Sequence, residues 1–157
     1  MIILPIKTKD RIKVRQILKK RWGGEKIVYG GKIYFADRLP GFLVFKNKQV
    51  VGLITYKVND ETCQIITIDA LIKRKGIGTA LIDRIKKEAK IKGWKKIKLI
   101  TTNDNLDGLR FYQRRGFVLN KIYKNAVEKS RKIKPEIPQI GDYQIPIRDE
   151  IELEMKL

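Results

Sequence analysis

A strand, a glycine-bearing turn, a helix and a second strand follow one another between residues 61 and 101, and this succession constrains the fold more than any other feature of the chain. Glu61–Ala70 is rich in Ile and Thr and reads as a strand. Gly76–Lys92 sets Ile77, Leu81 and Ile85 at a spacing of four, flanked by Ala80, Ile82 and Ala89, with Gly93 as its stop. Lys96–Thr101 then alternates Lys with Ile97 and Leu99, the period of a second strand. Two strands joined through a helix lie parallel by a right-handed crossover. Upstream, Gly41–Phe45 and Gln49–Val58 turn at Asn47-Lys48 and Asn59-Asp60, so those strands and Glu61–Ala70 run antiparallel. The expectation is an α+β fold with a mixed, mostly antiparallel central sheet flanked by helices.

The remaining elements are read more coarsely. Ile2–Ile6 is a strand, followed by a helix capped at Thr8 or Asp10, with Ile12, Ile17 and Leu18 as its apolar stripe and Gly23-Gly24 as its end. A loop is expected around Gly30-Gly31. Asn105–Arg115 is a helix closed by Gly116, Phe117–Tyr123 a strand, and Asn125–Ile133 a further helix. Pro135, Pro138, Gly141 and Pro146 make 134–147 an irregular connection before a final strand, Asp149–Leu157. That strand sets Glu150, Glu152 and Glu154 on one face, either as a solvated edge that resists aggregation or as an attraction for a cationic ligand. A length of 157 residues suits one domain over 1–157.

Lys and Arg number 36 against 17 Asp and Glu, a formal charge of +19, and residues 1–120 hold 28 of the cations and only 10 of the acids. Such a field attracts polyanions in general and selects none of them. The absence of His excludes His-based triads, Cys-His dyads and His metal sites, and the single Cys63 excludes an internal disulfide. No metal is expected. Neither a signal peptide nor an 18-residue apolar run occurs, so a cytoplasmic chain without a membrane partner is expected.

The segment Lys73-Arg74-Lys75-Gly76-Ile77-Gly78-Thr79 joins a strand to a helix N-terminus. Free backbone N–H groups, the positive dipole end and three cations make an anion site there, unless the turn is only a tight one with solvated lysines. It lacks the glycine spacing of a Walker loop and the full dinucleotide fingerprint. A second segment, Asn105-Leu106-Asp107-Gly108-Leu109-Arg110-Phe111-Tyr112, continues into Gly116-Phe117. On residues 106, 109 and 112 alone, Tyr112 is a half-buried helix residue, although its hydroxyl is also able to donate a proton.

Together these two segments resemble the GNAT N-acetyltransferase superfamily over about residues 41–123. The first is similar to the family's pyrophosphate loop, Gln/Arg-x-x-Gly-x-Gly/Ala, with Gly76 and Gly78 in register and Lys73 where Gln or Arg is usual. The second is similar to the family's Asn-x-x-Ala-x-x-x-Tyr motif with its Gly-Phe, Gly108 standing in place of Ala. The resemblance implies acetyl-CoA as acyl donor, held by Lys73, Lys75, Gly76, Ile77, Gly78 and Thr79 at its pyrophosphate. It implies Asn105 and the strand Ile65–Ile68 along the pantetheine, an amide near Ile66–Ile68 facing the thioester carbonyl, and Tyr112 as proton donor to the thiolate. It also implies a primary amine, of a small molecule or a protein, as acceptor. With no His, the base that frees the amine is a carboxylate, Asp69 ranking ahead of Glu61, while Gln64 stands where some relatives carry Glu. The resemblance further implies a cofactor-binding core at about 41–123 and makes about 125–147 an insertion longer than the family's usual hairpin, which either walls the acceptor pocket, with Tyr143 and Arg148 as contacts, or serves a homodimer interface. Two other readings are a basic nucleic-acid-binding module, for which no RRM, KH or helix-turn-helix signature is evident, and a CoA-binding domain without catalysis.

Overall fold

The computed structural model describes residues 1–157. In chain order the elements are β1 (Ile2–Pro5), α1 (Arg11–Trp22), β2 (Lys26–Tyr29), β3 (Lys32–Phe35), β4 (Gly41–Lys46), β5 (Gln49–Asn59) and β6 (Thr62–Ala70). They continue with α2 (Ile77–Lys92), β7 (Lys96–Thr102), α3 (Leu106–Arg114), β8 (Val118–Tyr123), α4 (Ala126–Ile133) and β9 (Glu150–Lys156). Seven strands form one sheet in the order β1-β4-β5-β6-β7-β9-β8, and β2 with β3 makes a separate hairpin. Only β6 and β7 are parallel, as a helix-bearing crossover requires. The α+β class and the mixed sheet are as the sequence predicted. No helix is long and apolar enough to cross a membrane.

Alternation along the central strands splits the core between the two faces of the sheet. Phe42, Val44, Ile54 and Ile65 meet Ile77, Leu81, Ile82 and Ile85 of α2, with Tyr112 of α3 and Phe117. Leu43, Leu53 and Ile66 face the other way, onto Val14, Ile17 and Leu18 of α1 and Ile27 and Tyr29 of β2. Gly52 is one place where a side chain is not tolerated, because a Cβ there would run into Ile77.

Three expectations are corrected. Ile12 is not in the stripe of α1: it is 64% exposed, and Val14 takes its place, so the buried set is 14, 17 and 18. The Gly30-Gly31 segment is the tight turn of the β2–β3 hairpin, both glycines having positive φ, rather than a loop. The last strand is not a solvated edge. β9 lies between β7 and β8, and Glu150 is 1% exposed.

The acids of β9 are instead built into the sheet. Glu150 accepts from the Gly30 amide at 2.8 Å and from the Ser130 hydroxyl at 3.3 Å, tying the hairpin and α4 to the sheet. Burial raises its pKa, and those two hydrogen bonds act against the rise. Glu152 accepts from Asn120 at 2.6 Å and from the Tyr123 hydroxyl at 3.2 Å, and Glu154 pairs with Lys96 at 3.4 Å.

The corrected burial of α1 has a direct consequence for stability. Leu18→Ala should lower the unfolding free energy by about 2–5 kcal/mol, whereas Ile12→Ala should change it by no more than about 0.5 kcal/mol. Urea denaturation midpoints at constant slope measure both.

Candidate functional site

Parallel pairing of β6 with β7 runs from Thr62/Lys96 to Ile65/Leu99 and stops there, while β7 stays paired with β9 as far as Thr102. Beyond Ile65 the β7-facing edge of β6 therefore has no strand partner. At the same level β6 carries a bulge: Thr55 faces Thr67 and Tyr56 faces Ile65, leaving Ile66 as an extra residue. The two threonine hydroxyls beside it are joined at 2.7 Å. The result is a wedge between β6 and β7 whose walls include main-chain groups.

A cleft of about 810 Å³ occupies this wedge. Ile66, Ile68 and Asp69 of β6, Thr101 of β7, Asn105, and Tyr112 of α3 all line it, so five of the residues singled out from the sequence meet there. Trp22 at the end of α1 and Tyr29 of β2 close one side, and the connection after α4 closes another through Lys134, Ile137, Pro138 and Ile147. The insertion is thus a wall of the cleft, although not through the residues expected. Tyr143 is exposed and donates to Asp107 at 2.6 Å, and Arg148 pairs with Asp149 at 3.0 Å.

Asp69 accepts from Trp22 Nε1 at 2.9 Å. Burial holds its pKa above the ordinary carboxylate value, while that hydrogen bond and Arg21 pull it down. Glu61, the other carboxylate considered, sits exposed at the β5–β6 turn and does not line the cleft. Tyr112 is 9% exposed and packs edge-on against Phe111 and Phe117, with centroids at 5.4 and 6.0 Å. Burial, reinforced by the negative charge of Asp69, raises its pKa, so the phenol is protonated at neutral pH. Cys63 is buried in the core, its thiol pushed up to about 12 by desolvation, which removes it as a nucleophile.

Asn105 caps α3: its Oδ1 accepts from the Gly108 amide at 3.1 Å, and its Nδ2 donates to Thr101 Oγ1 at 2.9 Å. Gly108 is needed for this, since a Cβ would overlap the Asn105 side chain. The cap reading therefore holds, with one Nδ2 hydrogen and one Oδ1 lone pair left over.

The lysine-glycine turn follows β6 at the N-terminus of α2, and none of its residues lines the cleft. Gly76 has φ +72° with open space where a side chain would be, and no side chain caps the helix, so the amides of residues 77–79 have no intrahelical partner. Lys73, Arg74 and Lys75 are exposed around it. These features fit an anion. Ile77 can offer only its amide, because its side chain is 2% exposed in the core. Gly78 differs from its expected role: a Cβ there would lie 2.9 Å from Phe111 Cζ, so its bareness admits the ring rather than open space. Thr79 receives Arg115 Nε and Nη2 at 2.9 and 2.7 Å, and the same guanidinium lies 3.7 Å above Phe111.

Arg115 and Tyr29 were not singled out by sequence. Arg115 adjoins the Gly116-Phe117 pair and could have been noticed from that position. Tyr29 carries no sequence signal, since the strands of the hairpin that brings it to the cleft are only four residues each.

The chain matches the family described as Acetyltransferase (GNAT) family over residues 12–117. Among curated proteins, the uncharacterized proteins YxbD and YdhI of Bacillus subtilis (strain 168) are similar. YxbD is 44% identical over 100% of this chain and 99% of its own length, and YdhI is 41% identical over 96% and 95%. Among solved structures, an IAA acetyltransferase from Bacillus cereus ATCC 14579 superposes with a TM-score of 0.73 at 21% identity, covering 99% of each chain. A GNAT family acetyltransferase from Elizabethkingia anophelis with acetyl-CoA bound gives 0.70 at 23% identity, covering 99% of this chain and 97% of that one. With the open wedge between β6 and β7, the uncapped lysine-glycine turn and these likenesses all in agreement, the chain belongs to the GNAT acetyltransferase family.

Proposed function

We infer that this acetyltransferase moves the acetyl group of acetyl-CoA to a primary amine by direct attack on the thioester. The observation that carries the reading is the unpaired edge of β6 beyond Ile65, which opens onto both Asp69 and Tyr112, on a strand that leads directly into the anion-ready turn at α2. The acetyl-CoA bound in the Elizabethkingia structure supports the same donor here.

In this reading the amides of residues 75–79, with Lys73 and Lys75, bind the pyrophosphate. Ile66, Ile68 and Asn105 border the pantetheine arm. A β6 amide near the Ile66 bulge donates to the carbonyl oxygen as negative charge builds on it, where a fixed dipole in a dry site is most effective. Asp69 takes a proton from the ammonium of the acceptor, the nitrogen lone pair forms the C–N bond, the C–S bond breaks, and the nitrogen's second proton leaves to solvent to give the neutral amide. Tyr112 gives its proton to the departing thiolate, whose conjugate acid has a pKa of about 8.5, and regains one from solvent. The whole chain acts as one domain, in the reducing cytoplasm, and its +19 charge draws nucleic acid only non-specifically.

Three variants test these roles. Tyr112→Phe keeps the ring against Phe111 and Phe117 and removes only the hydroxyl; turnover should fall by roughly 10²–10⁴-fold with acetyl-CoA affinity unchanged. Unaltered turnover with chemistry rate-limiting would leave Tyr112 a packing residue. Because Asp69 must be ionised to accept the proton and its pKa is raised, kcat/KM should climb with pH through an inflection above the usual carboxylate range. Asp69→Asn should abolish that limb, and its persistence would assign the base elsewhere.

For the donor, acetyl-CoA at about 100 times its Kd should add about 2.7 kcal/mol to stability, read as a rise in melting temperature. Since Gly78 is packed on Phe111, the turn is better tested by Lys73→Glu with Lys75→Glu. That variant should lose the ligand-induced rise while its own melting temperature changes little. Absence of acetyl-CoA binding to the unaltered protein in calorimetry would overturn the donor assignment.

A further inference from the structure

The cleft differs in charge from the rest of the molecule. Its lining contains four carboxylates, Asp69, Asp104, Glu136 and Asp142, against two cations, Arg21 and Lys134, on a chain whose formal charge is +19. Both cations are engaged with main-chain carbonyls: Arg21 donates to Ala70 O at 3.0 Å, and Lys134 Nζ to Trp22 O and Lys26 O, each at 2.7 Å. None of the four carboxylates is in an ion pair, whereas Glu152, Glu154 and Asp149 outside the cleft each have a Lys or Arg within 4 Å.

The acids are also distributed in depth. Asp69 lies on β6 next to the Ile66 bulge. Asp104 is 6% exposed and held in place, its Oδ1 accepting from the Thr102 hydroxyl at 2.5 Å and its Oδ2 from the Asp142 amide at 3.0 Å. Glu136 and Asp142 are exposed at the rim, and their carboxylates make no hydrogen bond within the protein.

A second, independent feature points to a polar ligand. Tyr29 and Tyr112 line the cleft, each is only 9% exposed, and neither hydroxyl has a hydrogen-bond partner in the protein. Their rings are buried but neither hydroxyl oxygen is sealed off, so both open into the cleft and can bond a polar ligand there in place of water.

We propose that the acceptor is a small amine with a second cationic group: its reacting nitrogen lies between Asp69 and the hydroxyls of Tyr29 and Tyr112, and its distal ammonium lies toward Asp104, Glu136 and Asp142. The proposal rests on the acetyl-transfer reading above and adds the acceptor class to it. A volume of about 810 Å³, part of which the pantetheine arm and acetyl group of the donor must occupy, leaves room only for a small molecule. Opposite charge across the cleft draws a dication in and orients it, while the surrounding +19 field repels a cation that finds no acidic partner. The reaction is that of the preceding section: one C–N bond forms, the C–S bond breaks, and the distal ammonium keeps its proton.

A pair of acceptors equal in chain length but different in charge tests this. With the full-length protein at low ionic strength, CoA release from acetyl-CoA should show kcat/KM at least about tenfold higher for 1,4-diaminobutane than for n-butylamine. Glu136→Lys with Asp142→Lys should bring that ratio toward one. Calorimetry with acetyl-CoA alone separates the two levels of the argument. If acetyl-CoA binds but the two amines react equally, or only an alanine-terminated peptide is acetylated, or no amine reacts, the acceptor class is wrong and the donor assignment stands. If acetyl-CoA does not bind, the underlying reading fails as well.

Discussion

The site depends on where one ladder of hydrogen bonds ends. β6 and β7 pair in parallel over only four residues each, and after Ile65 and Leu99 they part. Two neighbours hold them apart: β5 continues to pair with β6 to Ala70, and β9 continues to pair with β7 to Thr102. The Ile66 bulge adds local twist where the separation begins. A backbone edge inside a folded domain is costly unless something bonds to it, so the wedge is suited to a ligand that offers its own amides and carbonyls. A pantetheine arm has both.

The acids of β9 keep the walls of that wedge in place. Glu150 reaches across to the Gly30 amide, immediately after Tyr29, and to Ser130 on α4. Lys134 at the end of α4 then fastens the long connection to the carbonyls of Trp22 and Lys26, one at the end of α1 and the other at the start of β2. The hairpin, α4 and the insertion are therefore one wall, held by a buried carboxylate and a buried ammonium whose hydrogen bonds are satisfied. Removing either group would strand its partners in a dry site, which is the expensive way to lose a polar contact.

The parts of this arrangement that were legible in the sequence are local. The Gly76–Lys92 periodicity, the stops at Gly23 and Gly93, and the Lys/Ile alternation of β7 each depend on neighbours within a few residues, and the crossover rule then fixed the parallel pair. The lysine-glycine turn is legible from its glycines and cations before a helix, and the family motifs bring Tyr112 and Asn105 into view. What escaped depends on distant pairing. β9 has perfect alternation, but whether its glutamates face water depends on β8 folding back beside it. Ile12 has the spacing of a core residue, yet α1 presents Val14 instead because the hairpin and β4 set its rotation. β2 and β3 are four residues each around Gly30-Gly31, too short for their pattern to stand out, and Tyr29 was lost with them.

The claim that the unpaired edge of β6 and the first turn of α2 together form one acetyl-CoA site is tested most directly by backbone amide NMR during an acetyl-CoA titration. The amides of residues 66–69 and 77–79 should shift together, with a single saturation curve, while those at the opposite end of the β6–β7 pair, residues 60–62 and 95–96, stay in place. Shifts confined to one of the two segments, or centred on the opposite end of the pair, would contradict the account.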